Sequence, residues 1–258
     1  MKLISLNTWG GKTFEPLINF IKQGSTNTDI FCFQEVFNTT STTKKSYGYR
    51  TNLYSEIIKT LSNHNGYFVS SINNYLVGSF QNHFTKYNLS SGLAIFVRNT
   101  YKINSSGNFF IFGKKNSYQL GDFNTMPKNA QYVIFENQGK KFVVCNVHGI
   151  WVKEGKRDTT SRIEQSKKIR DFLDLQKGMK ILCGDFNLEA NTKSIRILET
   201  NMINLIRKNN IQTTRSELYI GENKHADYIF VSKDINVADF QLPNITISDH
   251  LPMILEFS

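Results

Sequence analysis

Along the chain, short apolar runs separated by polar stretches predict strands. "KLISLNTW" at the start alternates and then turns polar. "DIFCFQEV", "GLAIFVRN", "MKILCGDFN", "ADYIFVS" and "LPMILEF" are rich in β-branched or aromatic residues and carry the same reading. "QYVIFENQGKKFVVCNVHG" reads as two strands around the turn Asn137-Gln138-Gly139-Lys140. Helical spacing appears in "FEPLINFIKQ", through Phe14, Leu17, Ile18 and Ile21, and "LYSEIIKTLSNH" and "KSIRILET" also read as helices. The longest helix is predicted over residues 158–176, with Ser161 and Glu164 at capping-box spacing and a buried stripe of Ile163, Ile169, Phe172 and Leu173. Strands and helices alternate early and hairpins intervene. That is a mixed α/β pattern with helices outside sheets. No composition shift marks a boundary, so residues 1–258 are expected to form a single domain.

The tetrapeptide GDFN occurs twice, at Gly121–Asn124 and at Gly184–Asn187. The second copy follows Met179-Lys180-Ile181-Leu182-Cys183, an apolar run of the kind found in buried strands, so Asp185 emerges where a strand leaves the core. The first copy sits among Gly113, Lys114, Lys115, Gly121 and Pro127, which are loop signals. Its Asp122 and Asn124 are expected to serve a turn.

Composition narrows the class. The 258 residues can bury a sizeable core without staples. Cys32, Cys145 and Cys183 all lie in apolar runs without CxxC spacing. With no export signal at the start of the chain, they read as reduced, buried thiols of a cytoplasmic protein. No run is long and apolar enough to span a membrane, and no obligate protein partner is evident. The formal net charge of +10 and pI near 9.4 point to a polyanionic partner.

Polar residues recur at strand ends. Asn7 closes the first strand; Gln34 and Glu35 end the second; Asn146 and His148 end "FVVCNVHG"; Asp249 and His250 precede the last strand; Asp227 precedes "YIFVS". Singly, each reads as a cap or a satisfied polar group. Together, Glu35, Asp185, Asp227, Asp249, His148 and His250 along one sheet edge would be costly without a cation or paired histidines. Such a set suits divalent-metal phosphoryl chemistry, in which a hard cation takes carboxylate and phosphate oxygens. The absence of His- or Cys-rich spacing argues against zinc.

"LNTWG", "FQEV", "NVHG", "GDFN", "ADYIFVS" and "SDHLP" follow one another in the order found in the endonuclease/exonuclease/phosphatase superfamily, and the chain resembles that DNase I-like family from Asn7 to His250. The resemblance implies a four-layer α/β sandwich: two packed mixed β-sheets flanked by helices, with one active site at their common edge. It implies that Glu35 is the principal Mg²⁺ ligand (Mn²⁺ being a substitute), with Asn7 and Asp249 beside the metal. Asp185 resembles the residue that activates water, Asn187 its phosphate-binding neighbour and His148 the histidine that stabilises or protonates the phosphate. Asp227 and His250 resemble an Asp–His pair.

The resemblance leaves the substrate open, because the fold serves many phosphoesters. Residues 153–170 carry seven basic residues (Lys153, Lys156, Arg157, Arg162, Lys167, Lys168 and Arg170) against Glu154, Asp158 and Glu164. The polar stretch 38–52 adds Lys44, Lys45 and Arg50. Two basic loops beside the site suggest a nucleic-acid substrate, with Asn146, Trp151, Lys153, Arg157 and Arg215 as binding residues. A Mg²⁺-dependent phosphodiesterase acting as a nuclease is therefore expected. The alternatives are a small-molecule or lipid phosphatase of the same fold and a catalytically silent nucleic-acid-binding relative. The mostly polar loops argue against a lipid substrate, and the complete polar set argues against a silent relative.

Overall fold

The structure is a computed structural model that describes residues 1–40, 45–46, 48–73, 76–77, 85–86, 89–119 and 121–258. Two six-stranded sheets form its centre. In the first, β1 (Lys2–Asn7), β2 (Ile30–Thr39), β3 (His64–Ile72), β4 (Leu89–Arg98), β11 (Val237–Gln241) and β12 (Met253–Phe257) lie in the order β11-β12-β1-β2-β4-β3. The second comprises β5 (Ile103–Phe112), β6 (Lys128–Asn137), β7 (Lys140–His148), β8 (Met179–Asp185), β9 (Met202–Asn204) and β10 (Asp227–Ser232), in the order β9-β10-β8-β7-β6-β5. Each sheet has one parallel pair, β1 with β2 and β7 with β8; the other pairings are antiparallel.

The inner faces pack through Leu3, Cys32, Ile95, Val133, Val144 and Tyr228, among others. Alternation on β1 and β2 puts Ile4, Leu6, Phe31 and Phe33 on the opposite face, against α1 (Phe14–Gly24) and α2 (Leu53–Thr60). Full burial of such a side chain contributes about 1.5–3 kcal/mol. Helices α3 (Thr160–Leu175), α4 (Lys193–Leu198) and α5 (Leu205–Lys208) cover the second sheet through Ile169, Leu173, Leu198 and Leu205. This is the expected four-layer sandwich. All three cysteines are buried and unbridged. Among the described residues, no helix is long and apolar enough to cross a membrane.

Several expectations need correction. Thr159, not Ser161, caps α3, its hydroxyl accepting from the Arg162 backbone N–H at 3.2 Å. Glu164 pairs with Lys167 instead of closing a capping box. The buried face of α3 is mostly polar: Arg162, Gln165, Ser166 and Arg170 join Ile169 and Leu173. β3, β5, β9 and β11 were not apparent from pattern. All four are sheet-edge strands. β3 and β5 carry Asn, Gly and Ser where apolar residues would mark a strand.

Topology explains why the polar residues meet. The parallel pairs run to a common edge, so β1 ends there at Asn7, β7 at His148 and β8 at Asp185. β10 runs antiparallel to β8 and starts at that edge, with Asp227 directly opposite Asp185.

Candidate active site

Glu35 reaches the edge through a defect in β2. Pairing with β4 slips between Phe33 and Val36, and Glu35 adopts a positive φ of 55°. Non-glycine residues seldom do so, and such strain persists where neighbours over-determine it. Thr8 supplies that support, its hydroxyl donating to the carbonyls of Gln34 (2.9 Å) and Glu35 (3.1 Å). Trp9 and Asn187, at the same edge, also have positive φ. Gly184 precedes Asp185 with φ 132°, and a Cβ there would lie 2.1 Å from the Val147 carbonyl oxygen. The glycine of GDFN is required by this approach of β8 to β7.

Asn7 ties the two sheets together. Its Nδ2 donates to Glu35 Oε1 at 3.2 Å and to Asp185 Oδ2 at 3.0 Å, while its Oδ1 accepts from the Trp9 N–H. Asn7 thus organises the carboxylates, while its Oδ1 already accepts one hydrogen bond. Asp185 is 2 % exposed, and its other oxygen accepts from the Asn187 N–H at 2.8 Å. Burial would raise its pKa, but His250, Lys156, His148 and Arg215 outweigh that and hold it well below the carboxylate range. Asn187 donates its side-chain amide to the Gly149 carbonyl at 3.3 Å.

His250 Nδ1 lies 2.8 and 2.9 Å from the two oxygens of Asp227, which also accepts from Thr214. Burial lowers the His250 pKa; Asp227 and Asp185 more than offset this, and the net shift is upward. Arg215 Nη1 faces His250 Nε2 and stands 3.7 Å from Asp249. An imidazolium has no acceptor for Arg215, so that contact belongs to the neutral ring, while the carboxylate contacts favour the charged one.

His148 Nε2 lies 3.8 Å from Glu35 and 3.9 Å from Asp185. Its closest partner is one that sequence reasoning missed: Lys128 Nζ, at 3.2 Å. Burial and Lys128 push His148 down to about 3, so the ring is neutral and accepts. Burial likewise pushes Lys128 down to about 8, against Glu35 and Asp185. A lysine at the start of an apolar strand, behind a loop, gives no pattern that singles it out.

Glu35, a third exposed, is raised first by burial and then by the Asp249 carboxylate. Two hard oxygen donors that repel one another fit a hard divalent cation. Candidate ligand atoms of Asp185, Asp227 and His250 also lie within 4.8 Å of one another. There, however, Asp227 is occupied by His250 and Thr214, so the Glu35–Asp249 side fits better.

The predicted substrate contacts fare unevenly. Asn146 is fully buried and bridges the sheets, accepting from Gln34 at 2.6 Å and donating to the Phe33 carbonyl at 3.0 Å; it does not reach the open rim. Arg162 is 1 % exposed and donates to the carbonyls of Ile150, Gly155 and Arg157, stapling the loop before α3. Arg170 pairs with Asp174 and Lys167 with Glu164. Arg50 stacks on Phe14 and lies 3.4 Å from Glu56; Lys44 and the side chain of Lys45 lie outside the described residues. Much of the counted basic charge is therefore internal or paired.

Trp151 is 45 % exposed, with Phe123 edge-on at 6.0 Å. The first GDFN copy serves a turn, as its surroundings predict: Asp122 caps Phe123–Thr125 by accepting from the Asn124 N–H. Its phenylalanine nonetheless supports Trp151. Lys153 and Arg157 are exposed on a cleft of about 830 Å³ that Glu189 and Thr192 also line.

Comparison with known proteins agrees with this geometry. The model of the Endonuclease/Exonuclease/phosphatase family matches residues 4–250. Among solved structures, a mannosyl-6-phosphatase from Bacteroides thetaiotaomicron superposes with TM-score 0.72 at 17 % identity, covering 100 % of this chain and 99 % of that one. A humanized D. rerio TDP2 gives 0.68 at 12 %, covering 100 % and 98 %. The human Nocturnin catalytic domain gives 0.65 at 19 %, covering 100 % and 94 %. At these identities the likeness is one of fold. A search of curated protein sequences found no match.

Proposed function

The chain belongs to the endonuclease/exonuclease/phosphatase family, hydrolases of phosphoester bonds, and on that premise we propose that it is a Mg²⁺-dependent phosphoesterase, with Mn²⁺ as a substitute. The observation that carries this reading is Asn7 reaching both Glu35 and Asp185, because it joins a cation-fitting carboxylate to a buried, ionised one across two sheets.

Glu35 and Asp249 would hold the cation, which when bound screens the phosphate charge and stabilises the developing oxyanion. Asp185 stays ionised and accepts a hydrogen from the attacking water, orienting it toward phosphorus. Its depressed pKa suits positioning better than full proton removal. Asn187, whose Nδ2 bond to Gly149 is long, can turn a hydrogen to a non-bridging oxygen. His250, held by Asp227 at Nδ1, presents Nε2 to the same oxygens. Lys128 keeps His148 neutral and adds a positive charge on the Glu35 flank.

A nucleic-acid substrate is the second reading. It is favoured by the exposed Trp151 with exposed Lys153 and Arg157, a stacking surface beside two cations. The internal placement of Arg162 and Lys156 removes much of the case that charge count alone had made for it.

The test is a panel of plasmid DNA, single-stranded DNA, RNA, p-nitrophenyl phosphate and bis(p-nitrophenyl) phosphate, assayed with Mg²⁺, Mn²⁺ or EDTA. Hydrolysis of any member that EDTA abolishes supports the first reading; full activity after thorough EDTA treatment overturns it. A Lys153→Glu/Arg157→Glu double variant tests the second. It should flatten the salt dependence of nucleic-acid binding, each phosphate contact contributing roughly −0.9 to the log–log slope for duplex DNA.

A further inference from the structure

Lys156 is placed unlike any surface lysine. It is 4 % exposed, and its Nζ makes no hydrogen bond among the described residues. The loop that carries it is fixed from both sides: Arg162 donates to the carbonyls of Gly155 and Arg157, and the Glu189 N–H donates to the Lys156 carbonyl at 2.9 Å. The ammonium lies 5.8 Å from the centre of the Tyr219 ring. Arg215 stacks on that same ring at 4.2 Å, is 9 % exposed, and leaves its Nε without an acceptor among the described residues.

The surrounding acids are already engaged. Asp185 serves Asn7 and Asn187; Asp227 serves His250 and Thr214; Glu189 serves His225 at 3.2 Å; Asp249 stands 3.7 Å from Arg215 Nη1 and leaves Arg215 Nε and Lys156 Nζ unmatched. Two buried cations beside one aromatic ring, with donors unspent, are costly in a folded protein. Packing alone gives no reason to keep them, since an apolar side chain of similar length would fill the space without the penalty. The arrangement is that of a binding site for an anion, held open by a stapled loop.

We propose that Lys156 and Arg215, backed by Tyr219, form a preorganised seat for a phosphate-type oxyanion beside Asp185. The seat directs the enzyme to substrates carrying more negative charge than a single internal diester. The extra charge has two sources, a phosphomonoester as the scissile group or a second phosphate next to it. The substrate class rests on the phosphoesterase reading; the seat itself does not.

The test has a binding arm and a kinetic arm. Inorganic phosphate is titrated calorimetrically into EDTA-treated wild type, Lys156→Met and Lys156→Arg. The wild type should bind, Lys156→Met should bind at least tenfold more weakly, and Lys156→Arg should recover part of the loss. The unfolding midpoint of Lys156→Met should stay near that of the wild type, because the buried ammonium carries a desolvation cost and makes no hydrogen bond to the described residues. No binding to the wild type, or equal binding to Lys156→Met, overturns the proposal. In the kinetic arm, KM is measured with Mg²⁺ on bis(p-nitrophenyl) phosphate, p-nitrophenyl phosphate and thymidine 3′-phosphate 5′-(p-nitrophenyl phosphate). A penalty at least tenfold larger on the second than on the first identifies a monoester. One concentrated on the third identifies a neighbouring phosphate. Equal loss on all three overturns the proposal. A wild type that hydrolyses none of them defeats the phosphoesterase reading and leaves the binding arm to decide on the seat.

Discussion

Lys128 Nζ stands 3.2 Å from His148 Nε2, so a lysine and a histidine from neighbouring strands share one hydrogen bond at the rim of the site. Burial and this lysine together push His148 down to about 3. A histidine depressed in the folded state binds protons more readily when unfolded. Its contribution to stability is present above the ordinary histidine value and is lost as pH falls toward 3. Metal-free Lys128→Met should show a His148 titration, followed by NMR, that moves up toward the ordinary value, and a shallower loss of stability over that acid range. A His148 titration unchanged by the substitution would show the lysine to be irrelevant to it.

The two GDFN copies should respond oppositely to one substitution. Asp185→Asn removes a buried carboxylate facing the proposed water and should cut turnover by about a hundredfold or more. Asp122→Asn alters only the cap of a short exposed turn and should leave turnover nearly intact. The comparison is a steady-state assay on whichever phosphoester the panel identifies, with circular dichroism to confirm both folds. The reverse ranking would sink the reading of Asp185.

Glu35→Gln keeps the size of the side chain and removes the charge that a hard cation needs. Calorimetric titration of Mg²⁺ or Mn²⁺ should show weaker binding, and excess cation should restore part of the activity. Undiminished cation affinity would place the metal elsewhere, with the Asp185, Asp227 and His250 cluster as the next candidate.

Asp227→Asn should move the alkaline limb of the rate profile to lower pH. Burial depresses His250 and Asp227 opposes it, so without the carboxylate the imidazolium gives up its proton at lower pH. The maximal rate should drop as well, since Asp227 also fixes the ring through contacts at 2.8 and 2.9 Å. A profile superimposable on the wild type would uncouple the pair from catalysis.

The sequence by itself determined the layers and most of the candidate site. Apolar runs ending in Asn7, His148 and Asp185 could be read directly, because a strand leaving a core must show its last polar residues at an edge. The context of each GDFN copy separated the buried one from the turn for the same reason. Only the tertiary structure decided what each charge faces. Arg162, counted within the basic run 153–170, is a loop staple, and Asn146, expected at the substrate, is a brace between sheets. Lys156 and Lys128, one counted within a basic run and the other overlooked, are buried where Asp185 attracts them. A period of two or 3.6 residues reports which way a side chain leaves its own element. It carries no record of which carbonyl, ring or carboxylate another element brings to meet it, and for a long cation that meeting decides between solvent, scaffold and chemistry.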